Sequence, residues 1–420
     1  MRLHFLVGIC IGVQLDPQLK LSECKDNVRY RPNVLSLTSN QWSRFADAVR
    51  MIHGDKNALN KRIQVVSKSR IDAKLKAKTI KHLESLKGNE NESIYDQLVH
   101  IHIQEYPNYH NKPLFLPWHR AYMLLFEREL RSVDPSVRLP YWDFTMYHEN
   151  LSNDPALKST RFGGNGNPRE DNRVDGEFKD LKGHFHWDGS YKRFITRNHN
   201  LTDFNPVSPL ALLINYLRLK DFVFFSKHFE ASVHGRIHHA IGQEFFQHSS
   251  PNDPLFFAYH SFVDKIWFIW QNMHKFNSGG LDQDMLEPFG IKVQDVLYLE
   301  KNVCFSYKDT HIFRNGTIQG IPKEVYERFK DYKFDGQLHK STLDMFNQIL
   351  VDFNYDPKNV HAKAGELDDS DSDMYDRDIL NSDRAKDVAI DELSKDSFGN
   401  SPSTLPLLIL SFLFALLKLV

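Results

Sequence analysis

Six histidines in two blocks constrain this chain more than any other feature. The first block is His102, His110 and His119, and the second is His234, His238 and His260. Imidazole is a preferred ligand of copper and zinc. Three imidazoles suffice for one metal with an open coordination position, so two such blocks point to a pair of metals. No cluster of cysteines or carboxylates matches them in regularity.

His234 and His238 stand four apart, so both rings project from one face of a helix. A zinc protease needs Glu directly after the first member of such a pair; Gly235 stands there and excludes that reading. His260 sits in a helical run, Leu255 to His274, with Asp264 one turn on and Phe256, Phe257, Phe262 and Trp267 around it. A neutral imidazole in such a water-poor shell suits copper that handles dioxygen. In the first block His100 competes with His102, and the two cannot share a helix face. Tyr95, Leu98 and His102 form one stripe, whereas His100 lies with Ser93, Asp96 and Gln97. His102 is therefore expected inward and His100 outward. His110 lies in a turn-like segment, Pro107 to Asn111, and a loop folded back from there brings it to His119. His239 splays about 100° from His238 around a helix and is expected to line the site. His248 falls outside both triads, and His53, His82 and His184 are expected in solvated or structural positions.

At 420 residues with 41% apolar content, the chain has ample material for a core, and its net charge of −1 gives no global field for nucleic acid. Helical patterns run over 35–52, 93–104, 117–131, 230–241 and 255–274. Residues 56–90 are rich in Lys and are expected to form an exposed helix or loop insertion. Residues 147–206 are dense in Gly, Asn, Asp and Pro and are expected to be irregular. Residues 366–396 are crowded with Asp and Ser and are expected to form a disordered stalk.

Both ends are expected to carry targeting signals, with a buried first helix and a C-terminal core element as the alternatives. Arg2 followed by the apolar stretch Leu3 to Leu15 reads as a secretory leader. Leu405 to Val420 is almost wholly apolar and follows the small residues Ser397, Gly399, Asn400 and Ser401, which is the pattern of a GPI-anchor signal; a tail anchor is the alternative. Cys24 and Cys304 fall in the mature chain and are free to pair in an oxidising compartment. Sequons at Asn91, Asn150, Asn200 and Asn315 agree with secretion. The expected organisation is a leader over 1–20, a catalytic domain over 28–335, an extension over 336–365, an acidic stalk over 366–404 and an anchor signal over 405–420. The expected location is the secretory pathway, then the extracellular face of the cell or the medium.

Four segments together resemble the tyrosinase family of type 3 dicopper proteins, in a secreted, animal-type form. They are Arg31-Pro32-Asn33-Val34-Leu35-Ser36-Leu37-Thr38, His110 to Arg120 with Glu127 and Leu130, Leu139-Pro140-Tyr141-Trp142-Asp143, and Asn252-Asp253-Pro254 through His260, Val263 and Asp264. The resemblance spans about residues 29–275. It implies a mainly α fold, with a four-helix dicopper core wrapped by irregular loops. It implies two copper ions, Cu A on His102, His110 and His119, and Cu B on His234, His238 and His260. It implies dioxygen as oxidant and a phenolic or catecholic partner, either a small molecule or a protein tyrosine. Arg120, Asp264, Gly235 and His239 would surround the metals, with an ordinary structural ion pair as the alternative role of Arg120 and Asp264. Two departures stand out. Many members carry Cys two residues before the second ligand, cross-linked to a ligand histidine; here that position is Asn108. Many strong monophenolases carry Asn after the fourth ligand; here it is Gly235. Oxidation of catechols to ortho-quinones is the leading activity, with hydroxylation of monophenols beside it in some members; a haemocyanin-like dioxygen carrier and a zinc-bound non-oxidase are the alternatives.

Overall fold

The computed structural model describes residues 13–307, apart from 22–23, 25–27, 88–92, 148–149, 167–171, 187–192, 199–211, 213–215, 218 and 275–277, together with the backbone of 313–314 and 317–318. The chain divides into a unit ending at Ala364 and a second, Gly365–Val420. The second unit lies outside the described residues, as do the expected extension, stalk and anchor signal. Sequons Asn91, Asn200 and Asn315 also lie outside them.

Helix α1, Ser39–Ile52, begins at a reciprocal cap in which the Thr38 hydroxyl accepts from the Gln41 N–H and the Gln41 side chain answers. It buries Trp42, Phe45, Val49 and Ile52, the residues its 3.6-residue spacing places on one side. The Lys-rich insertion is two helices, α2 (Lys56–Lys68) and α3 (Ala73–Leu86), each capped by an aspartate, Asp55 and Asp72. Helix α4, Ile94–Tyr109, starts at a second reciprocal cap between Ser93 and Asp96. It runs five residues beyond the expected end at Gln104 and through Pro107, which cannot donate back into the helix and lies in its last turn. His110 is therefore the residue that caps α4 rather than part of a separate turn.

Helix α5, Phe115–Val133, and the aromatic-rich region beyond it form the centre. Helix α6 (Phe222–Phe229) passes through a π-helical turn, Glu230–His234, into α7 (Gly235–Ile241). This helix begins eight residues before the expected start at Glu230. Asp221 caps it, and Phe222, Phe225 and Phe229 face the core. Helix α8, Leu255–Met273, packs along α5, with Phe126 stacked on Phe257 at 3.5 Å. A short helix, α9 (Val293–Leu297), follows. Strands are two residues long. Arg29–Tyr30 (β1) pairs in parallel with Phe305–Ser306, beside the disulfide that joins Cys24 to Cys304. The expected irregular region holds short 3-10 turns and a two-residue antiparallel ladder, Lys182–Gly183 against Arg193–Phe194. The fold is mainly α, as expected.

Residues 13–19 of the expected leader lie extended on this body. Gln97 grips the Leu15 N–H and the Val13 carbonyl, and Leu19 donates to the Phe289 carbonyl.

A buried polar network locks α5 to α8. Arg31 donates to Glu127 through Nε and Nη2, at 3.1 and 3.0 Å, and through Nη1 to Asp264 and the Tyr307 hydroxyl. Arg120 Nε donates to Asp264 Oδ1, and its Nη1 reaches Gln271 and the Val296 carbonyl. Both guanidinium groups also lie over aromatic rings, Arg31 on Phe305 and Arg120 on Trp267, each at 3.7 Å. Breaking a buried charged network from one side strands its partners. Asp264→Ala is expected to cost about 3–5 kcal/mol of unfolding free energy, measured by denaturant unfolding of the metal-free protein. Arg44→Ala, which removes a half-exposed pair with Asp134, is expected to cost less than about 1 kcal/mol.

Candidate metal centre

Four helices deliver the six histidines. His102 comes from α4 and His110 from its end, His119 from α5, His234 and His238 from the π turn and α7, and His260 from α8. In each triad the offered ring nitrogens lie within 4.8 Å of one another, a spacing that fits one metal ion. The triads are adjacent: the His119 and His260 rings stack at 4.4 Å. The π turn sits where it sets the orientation of His234.

Backbone carbonyls fix the rings. The Nδ1–H of His102 donates to the carbonyl of His248 at 2.7 Å, that of His119 to Phe115 at 2.9 Å, that of His234 to Glu230 at 3.2 Å and that of His238 to Phe245 at 2.6 Å. A carbonyl only accepts, so each Nδ1 carries the proton and each Nε2 is left with its lone pair. The Nε2 atoms of His102, His119 and His234 are buried without a partner, as are the Nδ1 atoms of His110 and His260. The Nε2 atoms of His238 and His260 lie 3.3 Å apart, so a proton or a cation must sit between them. Buried unpaired nitrogens are costly, and metal coordination removes that cost. Burial lowers the pKa of His102 to about 3 and of His238 to about 4, and drives the other four well below the usual range. All six are thus neutral, the form a metal requires.

The walls are aromatic. Phe115 packs on His119 at 4.5 Å and on His234 at 4.7 Å, so one ring touches both triads. Phe256 covers His260 at 4.1 Å and reaches His102 at 5.1 Å. Glu230 is a buried carboxyl beside His234. Its Oε1 accepts from the Asn111 N–H at 2.8 Å, its Oε2 has no partner, and burial pushes it up to about 8. Sequence reading missed Phe115, Glu230 and the carbonyl of His248. Glu230 stands one helical turn before His234, a spacing that could have marked it.

The other flagged residues lie around this centre. Arg120 and Asp264 belong to the α5–α8 network, so they hold the backbones that carry His119 and His260. His239 is exposed and meets Phe246 edge-on at 5.2 Å. Gly235 opens α7 with room beside it. His100 is half-buried against Phe185, 5.0 Å away, while His102 is buried. The stripe Ser93, Asp96 and Gln97 is buried too, contrary to its polar composition. His184 covers it and pairs with Asp96.

A family model described as the common central domain of tyrosinase matches residues 92–273, which contain all six histidines. Grixazone synthase of Streptomyces griseus is 31% identical over 238 residues, covering 43% of this chain and 76% of that protein. The chain belongs to the tyrosinase family. The tyrosinase-like protein phomQ1' of Diaporthe leptostromiformis is 34% identical over 209 residues, 43% of this chain. This tyrosinase-family chain spans 55% of that relative's length, about half. A polyphenol oxidase structure from Thermothelomyces thermophila is similar at a TM-score of 0.46 and 19% identity, covering 67% of this chain and 89% of that one. The tyrosinase family is dicopper, and the two triads of this chain fit metal ions.

The two neighbouring histidines of α4 separate experimentally. His102→Ala is expected to lower metal content from two ions per chain to one with helicity unchanged, and His100→Ala is expected to retain both. Elemental analysis of the purified variants checks this.

Proposed function

We propose that the protein is a dicopper oxidase that converts catechols to ortho-quinones with dioxygen, with Cu A on His102, His110 and His119 and Cu B on His234, His238 and His260. The observation that carries this reading is the pair of adjacent trihistidine sets, neutral and with ring nitrogens left unpaired. Two coppers there would supply the redox chemistry, taking two electrons from each catechol and reducing dioxygen to water. The protein's own part is to hold and to exclude. Carbonyls of His248, Phe115, Glu230 and Phe245 set the rings, and Phe115 and Phe256 keep water away. The substrate is a small phenolic or catecholic molecule or a protein tyrosine. The Cys24–Cys304 disulfide supports a secretory location. The copper-loaded protein should oxidise an ortho-diphenol such as dopamine with oxygen uptake. Copper binding without turnover would sink the oxidase reading in favour of dioxygen carriage.

A monophenol has a pKa of about 10 and must lose its proton before it can bind a metal, whereas a catechol needs less help. Gly235 offers no side chain to hold a water for that task. A Cβ there would meet the Glu230 carbonyl at 3.5 Å, an ordinary contact, so the backbone accepts a side chain at this position. Catechol oxidation is therefore expected to exceed monophenol hydroxylation. Gly235→Asn is expected to raise the ratio of initial rates on tyramine and dopamine at least ~10-fold. A wild type that already hydroxylates tyramine as fast as it oxidises dopamine would show that Gly235 is not limiting.

A further inference from the structure

His110 has no hydrogen bond to orient its ring. Its two partners in the first triad are fixed through Nδ1, His102 by the His248 carbonyl and His119 by the Phe115 carbonyl. The Nδ1 of His110 is buried without a partner, and among the described residues no hydrogen bond reaches its imidazole. The backbone around it is well held. The His110 N–H donates to the Tyr106 carbonyl at 3.0 Å, and the Asn111 N–H donates to Glu230 at 2.8 Å. What these bonds leave free is rotation of the side chain. The position that carries a cross-linking cysteine in many family members is Asn108 here, and its amide turns to Glu105 at 2.8 Å.

Stacked rings close the gap. Tyr106 lies flat on one face of His110, with centroids 3.9 Å apart and planes within 16°. His248 lies on the other face of Tyr106, at 3.6 Å and 20°. Phe115 and His119 meet His110 only at a steep angle, at 5.6 and 4.9 Å, so they bound the ring without clamping its face. The stack runs outward from the buried His110 through the half-buried Tyr106 to the exposed His248. His248 also gives its carbonyl to His102, so this one residue backs two of the three imidazoles.

We propose that Tyr106, backed by His248, is the positioning residue for His110 and stands in for the covalent link of other family members. The contact is made by the π-face, so the phenol hydroxyl is dispensable and Phe should serve as well as Tyr. This rests on the reading that the first triad holds copper. Full-length, copper-loaded protein is challenged with a chelator and copper release is followed in time, with the second triad's copper as internal control. A ring stack contributes up to about 1.5 kcal/mol, so Tyr106→Leu is expected to release one of its two coppers about 10-fold faster than wild type. The other copper should leave at the wild-type rate. Tyr106→Phe should match wild type, and His248→Ala, which keeps its carbonyl, should fall between. Wild-type release of both coppers from Tyr106→Leu overturns the assignment, as does equal acceleration of both with a lowered Tm of the copper-free protein, which marks general loosening. A wild type that takes up no copper overturns the metal reading itself.

Discussion

Four backbone carbonyls carry the organisation of this site. Each takes the Nδ1 proton of one imidazole, at His102, His119, His234 and His238. That bond selects the tautomer, aims Nε2 inward and makes the nitrogen a better donor to a metal. Two of these carbonyls lie one helical turn before their histidine, those of Phe115 and Glu230. The other two, from His248 and Phe245, lie on the segment between α7 and α8. The short turns of that segment are thus part of the metal site, although they contribute no side chain to either triad.

The buried salt-bridge network performs the corresponding task for whole helices. Arg31, Glu127, Arg120 and Asp264 join the segment just after β1 to α5 and α8. His119 and His260 sit beside this lattice on the same two helices, so the ring contact between the two triads inherits its rigidity. Aromatic packing supplies the rest. Phe126 on Phe257 fixes the spacing of α5 and α8, and Phe115 and Phe256 exclude water next to the imidazoles. Dryness matters twice here, since it keeps the histidines neutral and strengthens every remaining electrostatic contact.

Residue type and spacing made much of this legible. The 3.6-residue stripe through Tyr95, Leu98 and His102 pointed His102 inward, and the four-residue step from His234 to His238 put both rings on one face. The mainly α fold followed from the family resemblance, with the helical periodicity in agreement. What stayed hidden depends on backbone atoms or on distant packing. No side-chain pattern encodes a carbonyl such as that of His248. The burial of Asp96 depends on His184, about ninety positions away, and Gln97 is held by the backbone of Val13 and Leu15, more than eighty positions before it. The start of α6 at Phe222 was obscured because its aromatic run has no polar face to mark a helix. Phe115 carried no signal in the sequence; only the fold sets it between the two triads.

The central claim is that four helices present two separate trihistidine sites side by side. Anomalous diffraction from copper-loaded crystals, recorded on both sides of the copper edge, tests it most directly. The account predicts two copper peaks, one within reach of His102, His110 and His119 and the other within reach of His234, His238 and His260. A single peak shared by histidines of both sets, or copper bound elsewhere with the six imidazoles empty, would contradict it.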